Sequence, residues 1–204
     1  MSLREEKKRQ VRADILDAAR ELIEQTGYDD STMRDIAATA RVSYQTLYNY
    51  FPTKAAILAA LLDDVTEQAI ANVEALVDGY DGRLMATLNA INRARIDLVS
   101  RRGRELWRVI SVDRLRQGDD AGAVHRRLDA AAGEMLQRLL AMARQRGELV
   151  ADVDVHLLGD TLEALGEQAM ARYLDASATS RRAVAESLAA QTSLLVTPYL
   201  KGAP

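Results

Sequence analysis

The sequence predicts an all-α protein with nine helices, three short ones first and six mostly longer ones after them. Apolar residues recur at intervals of three and four along most of the chain, and no strand-like alternation occurs. Only three prolines and eleven glycines interrupt 204 residues, which leaves room for long helices. Hydrophobic residues make up 48% and charged residues 28% of the chain, a balance typical of a folded protein with a core rather than a disordered one.

The first three helices lie close together near the start of the chain. The first carries a stripe of apolar residues and ends at Gly27, since glycine can close a helix. Thr32 begins the second, and Asp35 three residues later makes an acidic version of the capping box. Ser43 caps the third, which ends at Pro52. The apolar stripe of the first helix consists of Ile15, Ala18, Ala19, Leu22 and Ile23.

A long fourth helix runs from about Lys54 to Val77 and ends in a turn rich in glycine and aspartate. Beyond Gly82 every segment has helical periodicity again, and short stretches containing Gly, Asp or Ser separate the helices. This organisation predicts a three-helix domain over residues 1–53 and a six-helix domain over residues 54–204. The later helices are predicted over residues 83–100, 104–116, 121–147, 154–175 and 179–200.

Composition excludes several classes of protein. Cysteine is absent, so disulfides and thiolate chemistry are excluded and a reducing cytoplasm is expected. No apolar run approaches the roughly 18 residues of a membrane span, and no signal-peptide core follows the charged start. His125 and His156 are too far apart for a local metal motif, and neither a glycine-rich phosphate loop nor a nucleophile elbow occurs. We therefore expect no enzyme activity, no cofactor, no metal and no membrane partner.

The distribution of charge is more informative than its sum. A net charge of −3 argues against a nucleic-acid partner, but basic residues are concentrated in two places. Residues 4–12 hold five basic and two acidic side chains, and residues 41–54 hold Arg41 and Lys54 with no acid. The first of these segments is either a mobile arm that binds phosphates or a solvated tail.

The segment from Thr32 to Lys54 carries the pattern that indicates function. A short helix, a tight break at residues 40–42 and a second short helix form a helix-turn-helix. The second helix of such a motif can lie in the major groove of DNA with its N-terminal residues at the base edges. Gln and Asn can read adenine, and Thr or Tyr can reach thymine methyl groups or phosphates, so this helix predicts DNA binding. Its exposed polar residues are Ser43, Tyr44, Gln45, Thr46, Asn49 and Tyr50.

Residues 15–58 resemble the TetR family of transcriptional repressors, with matching spacing across four elements. The motif reads Ile15-x-x-Ala18-Ala19-x-x-Leu22, Gly27-Tyr28, Thr32-x-x-Asp35-Ile36-Ala37-x-x-Ala40, Val42-Ser43-x-x-Thr46-Leu47-Tyr48-x-Tyr50-Phe51 and Lys54-x-x-Ile57-Leu58. The remainder of the chain resembles the family only in helix count and length. The family usually has glycine where this chain has Arg41, and we therefore predict a positive φ at Arg41.

The resemblance implies base contacts in the first turn of the recognition helix and phosphate contacts around it. The alternatives are a solvated helix face for the first turn and Asn49, core packing for Tyr48, and a plain surface lysine at position 54. The implied base contacts are Tyr44, Gln45 and Thr46, in a recognition helix from Ser43 to Tyr50, and the implied phosphate contacts are Thr32, Tyr48, Tyr50 and Lys54.

The resemblance also implies that the C-terminal helices bind a ligand and dimerise. Apolar stripes on the helices at 154–175 and 179–200 predict a two-fold homodimer, unless these faces are buried within the monomer. Arg95 on an apolar stripe would suit an anionic amphiphile, unless it pairs with an acid. Glu163 or Glu167 turned inward would instead favour a cationic ligand. The candidate ligand-binding residues are Arg95, Trp107, Met135, Met142 and Glu167.

Together these features predict a ligand-responsive DNA-binding transcriptional regulator. The expected mode of action is that of a repressor, which a small-molecule effector releases from a palindromic operator in double-stranded DNA. The alternative is a helical protein-interaction adaptor that does not use its helix-turn-helix for DNA.

Overall fold

The computed structural model describes residues 2–101, 107, 120–175 and 180–202. Within these ranges the chain is helical between its turns, with an isolated β-bridge between Leu149 and Leu200, so the all-α class is confirmed. The helix predicted over 104–116 lies outside the described residues except for Trp107. The described helices are α1 (Leu3–Thr26), α2 (Met33–Thr39), α3 (Tyr44–Tyr50), α4 (Lys54–Asp78), α5 (Leu84–Arg101), α6 (Asp120–Gln145), α7 (Val155–Leu174) and α8 (Arg181–Val196), with a 3-10 turn over Thr197–Tyr199.

Contacts divide the chain into two compact units. The first comprises residues 1–65 and 103–125, and the second comprises residues 66–102 and 126–204. The division lies inside α4, and the domain boundary predicted between residues 53 and 54 stays a prediction. None of the described helices is long and apolar enough to cross a membrane.

The first helix begins well before its apolar stripe. Ser2 caps α1: its hydroxyl accepts from the Glu5 amide at 3.3 Å, and the Glu5 carboxylate accepts from the Ser2 amide at 2.9 Å. Residues 4–12, expected as a mobile arm or tail, therefore form the first turns of a helix. Their Glu, Lys and Arg side chains have high helix propensity, and an ion pair of 2.7 Å between Arg9 and Glu6 adds local support.

The apolar core of the first unit joins α1, α2 and α3 and includes the first turns of α4. Burying each large aliphatic side chain contributes about 1.5–3 kcal/mol. The core therefore holds α3 by one side and leaves its opposite side at the surface. The largest fully buried side chains of this unit are Ile15, Ile23, Ile36, Leu47, Ile57, Leu58 and Leu62.

In the second unit, α5 and α7 both pack against α8 and also contact each other. Their facing sides and part of α6 form one hydrophobic cluster, so helices distant in sequence share a single core. Its members include Leu84, Leu88, Leu139, Leu140, Leu158, Leu162 and Val196.

Glu148, in the turn after α6, joins three segments of the second unit. Its carboxylate accepts from the Leu84 amide at 2.9 Å, which caps the start of α5, and also from the Tyr80 hydroxyl. Its backbone carbonyl accepts from the Lys201 amide at 2.7 Å. Burial and the adjacent carboxylate raise the pKa of Tyr80, so the phenol stays a protonated donor.

Candidate nucleic-acid interface

The start of α2 is fixed by the capping box that the sequence predicts. The Thr32 hydroxyl accepts from the Asp35 amide at 3.2 Å, and the Asp35 carboxylate accepts from the Thr32 amide at 3.3 Å. The Thr32 hydroxyl also donates to that carboxylate at 2.6 Å. Its proton therefore has an internal acceptor, and a phosphate contact by Thr32 stays a prediction.

The turn between α2 and α3 contains a strained residue, as predicted. Arg41 has φ 55°. Within the described ranges, every other residue with a positive φ is a glycine. The Arg41 amide donates to the Ala38 carbonyl at 3.1 Å, and the Val42 amide donates to the Ala37 carbonyl at 3.0 Å. These bonds close α2 within a single turn, at a cost of about 1–2 kcal/mol for a residue with a Cβ.

The outer side of α3 presents four adjacent polar side chains, which we call the polar face: Tyr44, Gln45, Tyr48 and Asn49. All four are exposed, and both tyrosines keep 49% of their accessible area. Gln45 Nε2 donates to Asn49 Oδ1 at 3.1 Å, so the two amides are held side by side. Because α3 carries no acidic residue, this face offers hydrogen-bonding groups without a repulsive charge.

The remaining residues of the recognition helix hold it in place. The Ser43 hydroxyl accepts from the Thr46 amide at 3.0 Å and lies 2.7 Å from the Thr46 hydroxyl, which caps α3. Leu47 is fully buried. Thr46 and Tyr50 are half-buried at the sides of the helix. The inward side of α3 matches the sequence pattern, whereas Thr46 and Tyr50, which were expected to be exposed, are half-buried because they lie beside the inward row of Leu47 and Phe51.

A stripe of basic side chains runs along the exposed N-terminal turns of α1. Arg4, Lys8 and Arg12 follow one another at intervals of four, so they share a face of the helix. The Arg12 guanidinium lies 5.5 Å from the centroid of the Phe51 ring, directly after α3. This cation–π contact, worth about 0.5–1 kcal/mol at an exposed site, brings the basic stripe next to the recognition helix.

Lys54 occupies a different environment from the one expected. Its ammonium group donates to the backbone carbonyls of Tyr28 at 2.5 Å and Ser31 at 2.8 Å, and it lies 4.2 Å from the centroid of the Tyr28 ring. Burial lowers its pKa, and the carboxylates of Asp29 and Asp30 partly oppose that shift. Sequence reasoning missed this arrangement because the partners of Lys54 precede it by more than twenty residues.

Comparison with known proteins places this motif in a family. Residues 15–61 match the family model described as bacterial regulatory proteins, tetR family. This segment, which holds the helix-turn-helix, is therefore similar to the tetR family. The HTH-type transcriptional regulator UidR of Escherichia coli strain K12 is 32% identical over 69 residues, which are 34% of this chain and 35% of UidR. The match thus spans about a third of the length of UidR.

Solved structures of TetR-family regulators share the fold over nearly the whole chain. A TetR transcription regulator from Haloarcula marismortui has a TM-score of 0.77 at 18% identity and covers 94% of this chain and 99% of its own. FadR from Bacillus subtilis, in complex with stearoyl-CoA, has a TM-score of 0.69 at 22% identity. The match covers 90% of this chain and 97% of the FadR chain. At these identities the likeness concerns the fold.

In the second unit, Arg95 pairs with an acid, as the alternative expectation had it. Its guanidinium donates to Glu163 at 2.5 Å, and the two side chains keep only 17% and 15% of their exposure. Arg95 lies directly over Gly166, where an added Cβ would come within 1.6 Å of the guanidinium. The glycine on α7 therefore makes room for the arginine of α5.

Two further carboxylates lie beside this pair: oxygens of Asp129, Glu163 and Glu167 lie within 4.8 Å of one another. Burial raises the pKa of Glu163, Arg95 opposes that shift, and Asp129 and Glu167 reinforce it. Among the described residues this is a group with the spacing to hold a metal ion, although Arg95 already supplies a positive charge.

The structure brings together only some of the predicted ligand-binding residues. Arg95 and Glu167 meet in the acidic cluster of the second unit. Met135 is buried in the core of that unit and Met142 packs against the same core. Trp107 is buried at 6% exposure and belongs to the first unit. A role in ligand binding stays a prediction for each of them.

Proposed function

We propose that this TetR-family protein is a transcriptional regulator that binds a palindromic operator in double-stranded DNA and responds to a small-molecule effector. The observation that carries the proposal is the polar face of α3, exposed, free of acidic residues and held rigidly from behind by Leu47. A rigid helix positions its side chains better than a loop does. The protein acts as a regulator rather than as an enzyme.

Gln45 and Asn49 read bases in the major groove. The hydrogen bond between them uses one N–H of Gln45 and the oxygen of Asn49, so a carbonyl oxygen and N–H donors remain for a base edge. An adenine offers one donor and one acceptor in the major groove. Tyr44 and Tyr48, which form the neighbouring row of the polar face, reach thymine methyl groups or phosphates. The basic stripe of α1 holds the DNA backbone without reading sequence.

The protein works as a two-fold homodimer through α7 and α8. Leu157 on α7 and Leu194 on α8 are 65% and 77% exposed, although each lies on a helix whose other side is core. Large exposed leucines on two consecutive helices support coverage by a second copy. Two recognition helices related by a two-fold axis require a palindromic operator with half-sites about one helical turn apart.

The second unit takes the effector. The FadR structure holds stearoyl-CoA, and the shared fold supports a ligand of small-molecule size in this unit. An effector releases the operator only if it binds the DNA-free arrangement more tightly, because coupling between two sites is reciprocal. Operator DNA must then weaken effector binding by the same factor.

Fluorescence anisotropy with the DNA upstream of the protein's own gene tests the proposal. The parent should bind with an affinity that falls steeply as salt rises. Gln45→Ala should lose about 1–3 kcal/mol on that operator and discriminate less at one base pair. Gln68→Ala, at an exposed position of α4 in the second unit, is the matched control and should bind like the parent.

Two results would contradict the proposal. Equal binding by Gln45→Ala and the parent on both operator and scrambled DNA would remove α3 as the reading element. Absence of any salt-dependent DNA binding, with a protein partner recovered instead, would favour an adaptor that does not use its helix-turn-helix.

A further inference from the structure

The three N–H donors of Lys54 are directed into the loop between α1 and α2. Besides the short bonds to Tyr28 and Ser31, Nζ lies 3.4 Å from the carbonyl oxygen of Asp29. An ammonium group has three donors, and three converging carbonyls can use all of them. In this arrangement no donor is left for a DNA phosphate.

The charges around Lys54 also disfavour a phosphate. Asp29 and Asp30 are exposed, and both carboxylates interact electrostatically with the ammonium group. A phosphate that approached Lys54 would also meet the negative charges of Asp29 and Asp30, which weakens its attraction to the ammonium group. The loop thus already supplies the counter-charge of this lysine.

The loop that Lys54 holds leads directly into α2. Ser31 is 2% exposed, and its hydroxyl donates to the same Tyr28 carbonyl at 2.8 Å. The next residue, Thr32, is the N-cap of α2. Without the lysine, the part-buried carbonyls of Tyr28 and Ser31 would each lose a hydrogen-bond donor. Lys54 itself begins α4, so one ammonium group connects the first residue of α4 to the start of α2.

We propose that Lys54 is a positioning residue for DNA binding: it fixes the loop at residues 28–31, and through it the start of α2, and it does not bind a phosphate. The helix-turn-helix is then anchored from both sides, since α2 precedes α3 and α4 follows it. The part of this proposal that concerns DNA rests on the function proposed above.

Two variants separate positioning from phosphate binding. Lys54→Met removes the charge and all donors, whereas Lys54→Gln removes the charge and keeps two N–H donors. In the DNA-free protein, hydrogen exchange of the amides at residues 31–36 should be at least about tenfold faster in Lys54→Met, with Lys54→Gln between it and the parent. Lys8→Met removes the same charge from the basic stripe and should leave these rates at the parent value.

The salt dependence of operator binding supplies the second measurement. Both Lys54 variants should bind the operator more weakly, by about tenfold for Met and less for Gln, with the parent's slope of log affinity against log salt. Loss of a phosphate contact would lower that slope by about 0.9, equally for Met and Gln. A lowered slope in either variant, or unchanged exchange at residues 31–36 in Lys54→Met, would overturn the proposal. A parent protein that binds no DNA would refute the function proposed above, while the exchange rates would still decide the role of Lys54 in the loop.

Discussion

Substitution of Gly166 by alanine tests how closely the Arg95–Glu163 pair depends on α7. A Cβ at this position would lie 1.6 Å from Nη1 and 2.6 Å from Cζ of Arg95. The α7 backbone is buried, whereas the guanidinium is the end of a flexible side chain, so the guanidinium moves. Glu163 then loses its ionic partner while keeping only 15% of its exposure.

The expected loss of stability follows from two opposing contributions. Removing one partner of a fully buried ion pair costs about 3–5 kcal/mol, and about half of that applies to a pair with this residual exposure. Alanine regains about 1 kcal/mol of helix propensity over glycine. Gly166→Ala should therefore lower the free energy of unfolding by about 1 kcal/mol.

Gly133→Ala is the matched control, because it makes the same substitution on α6 with no atom within 4 Å of the new Cβ. It should raise the free energy of unfolding by about 1 kcal/mol. Urea unfolding followed by circular dichroism would then separate the two variants by about 2 kcal/mol. Equal midpoints for the two variants would refute the reasoning, because Arg95 could then vacate the site at no cost.

Three further predictions concern other parts of the protein. Burial raises the pKa of Glu163 above 4.5, so the folded state holds this proton more tightly than the unfolded state. The free energy of unfolding, relative to that of Glu163→Gln, should therefore rise as pH falls toward 4.5 and decrease as pH rises through the raised pKa. Urea midpoints of the two proteins that stay parallel across pH would contradict this. Arg41→Gly should raise the free energy of unfolding by about 1 kcal/mol, because glycine adopts φ 55° without strain; a lower thermal midpoint would show that Arg41 makes compensating contacts. Leu194→Glu should shift the protein toward the monomer in light scattering while Leu3→Glu, at a 92% exposed position of α1, should not; a dimer in both variants would exclude this part of α8 from the interface.

Features set by neighbours in sequence could be predicted from the sequence. The capping box of Thr32 and Asp35 depends on residues three apart. The positive φ of Arg41 was expected because the TetR family, which this segment resembles, usually has glycine in this turn between two short helices. The inward side of α3 follows from Leu47 and Phe51, four residues apart and both buried. In each case the side chain and its partner lie within one turn of the chain.

Features that depend on distant partners could not be predicted. Both the sequence and the structure begin α4 at Lys54, but only the structure shows that its ammonium group donates to the loop before α2. Arg95 could have faced an anionic ligand, and only the structure shows Glu163, 68 residues later, in that place. Gly166 lies on a different helix from Arg95, and only the structure shows that the Arg95 guanidinium lies directly over it.

The three bonds of Glu148 bear on how the second unit melts. A short segment that follows a helix usually opens early, because few contacts hold it. Here residues 149–150 pair with residues 199–200, and the amide of Lys201 bonds to the same residue whose carboxylate caps α5. The segment after α8 therefore cannot open without also weakening the first turn of α5, and the two should unfold as one cooperative unit.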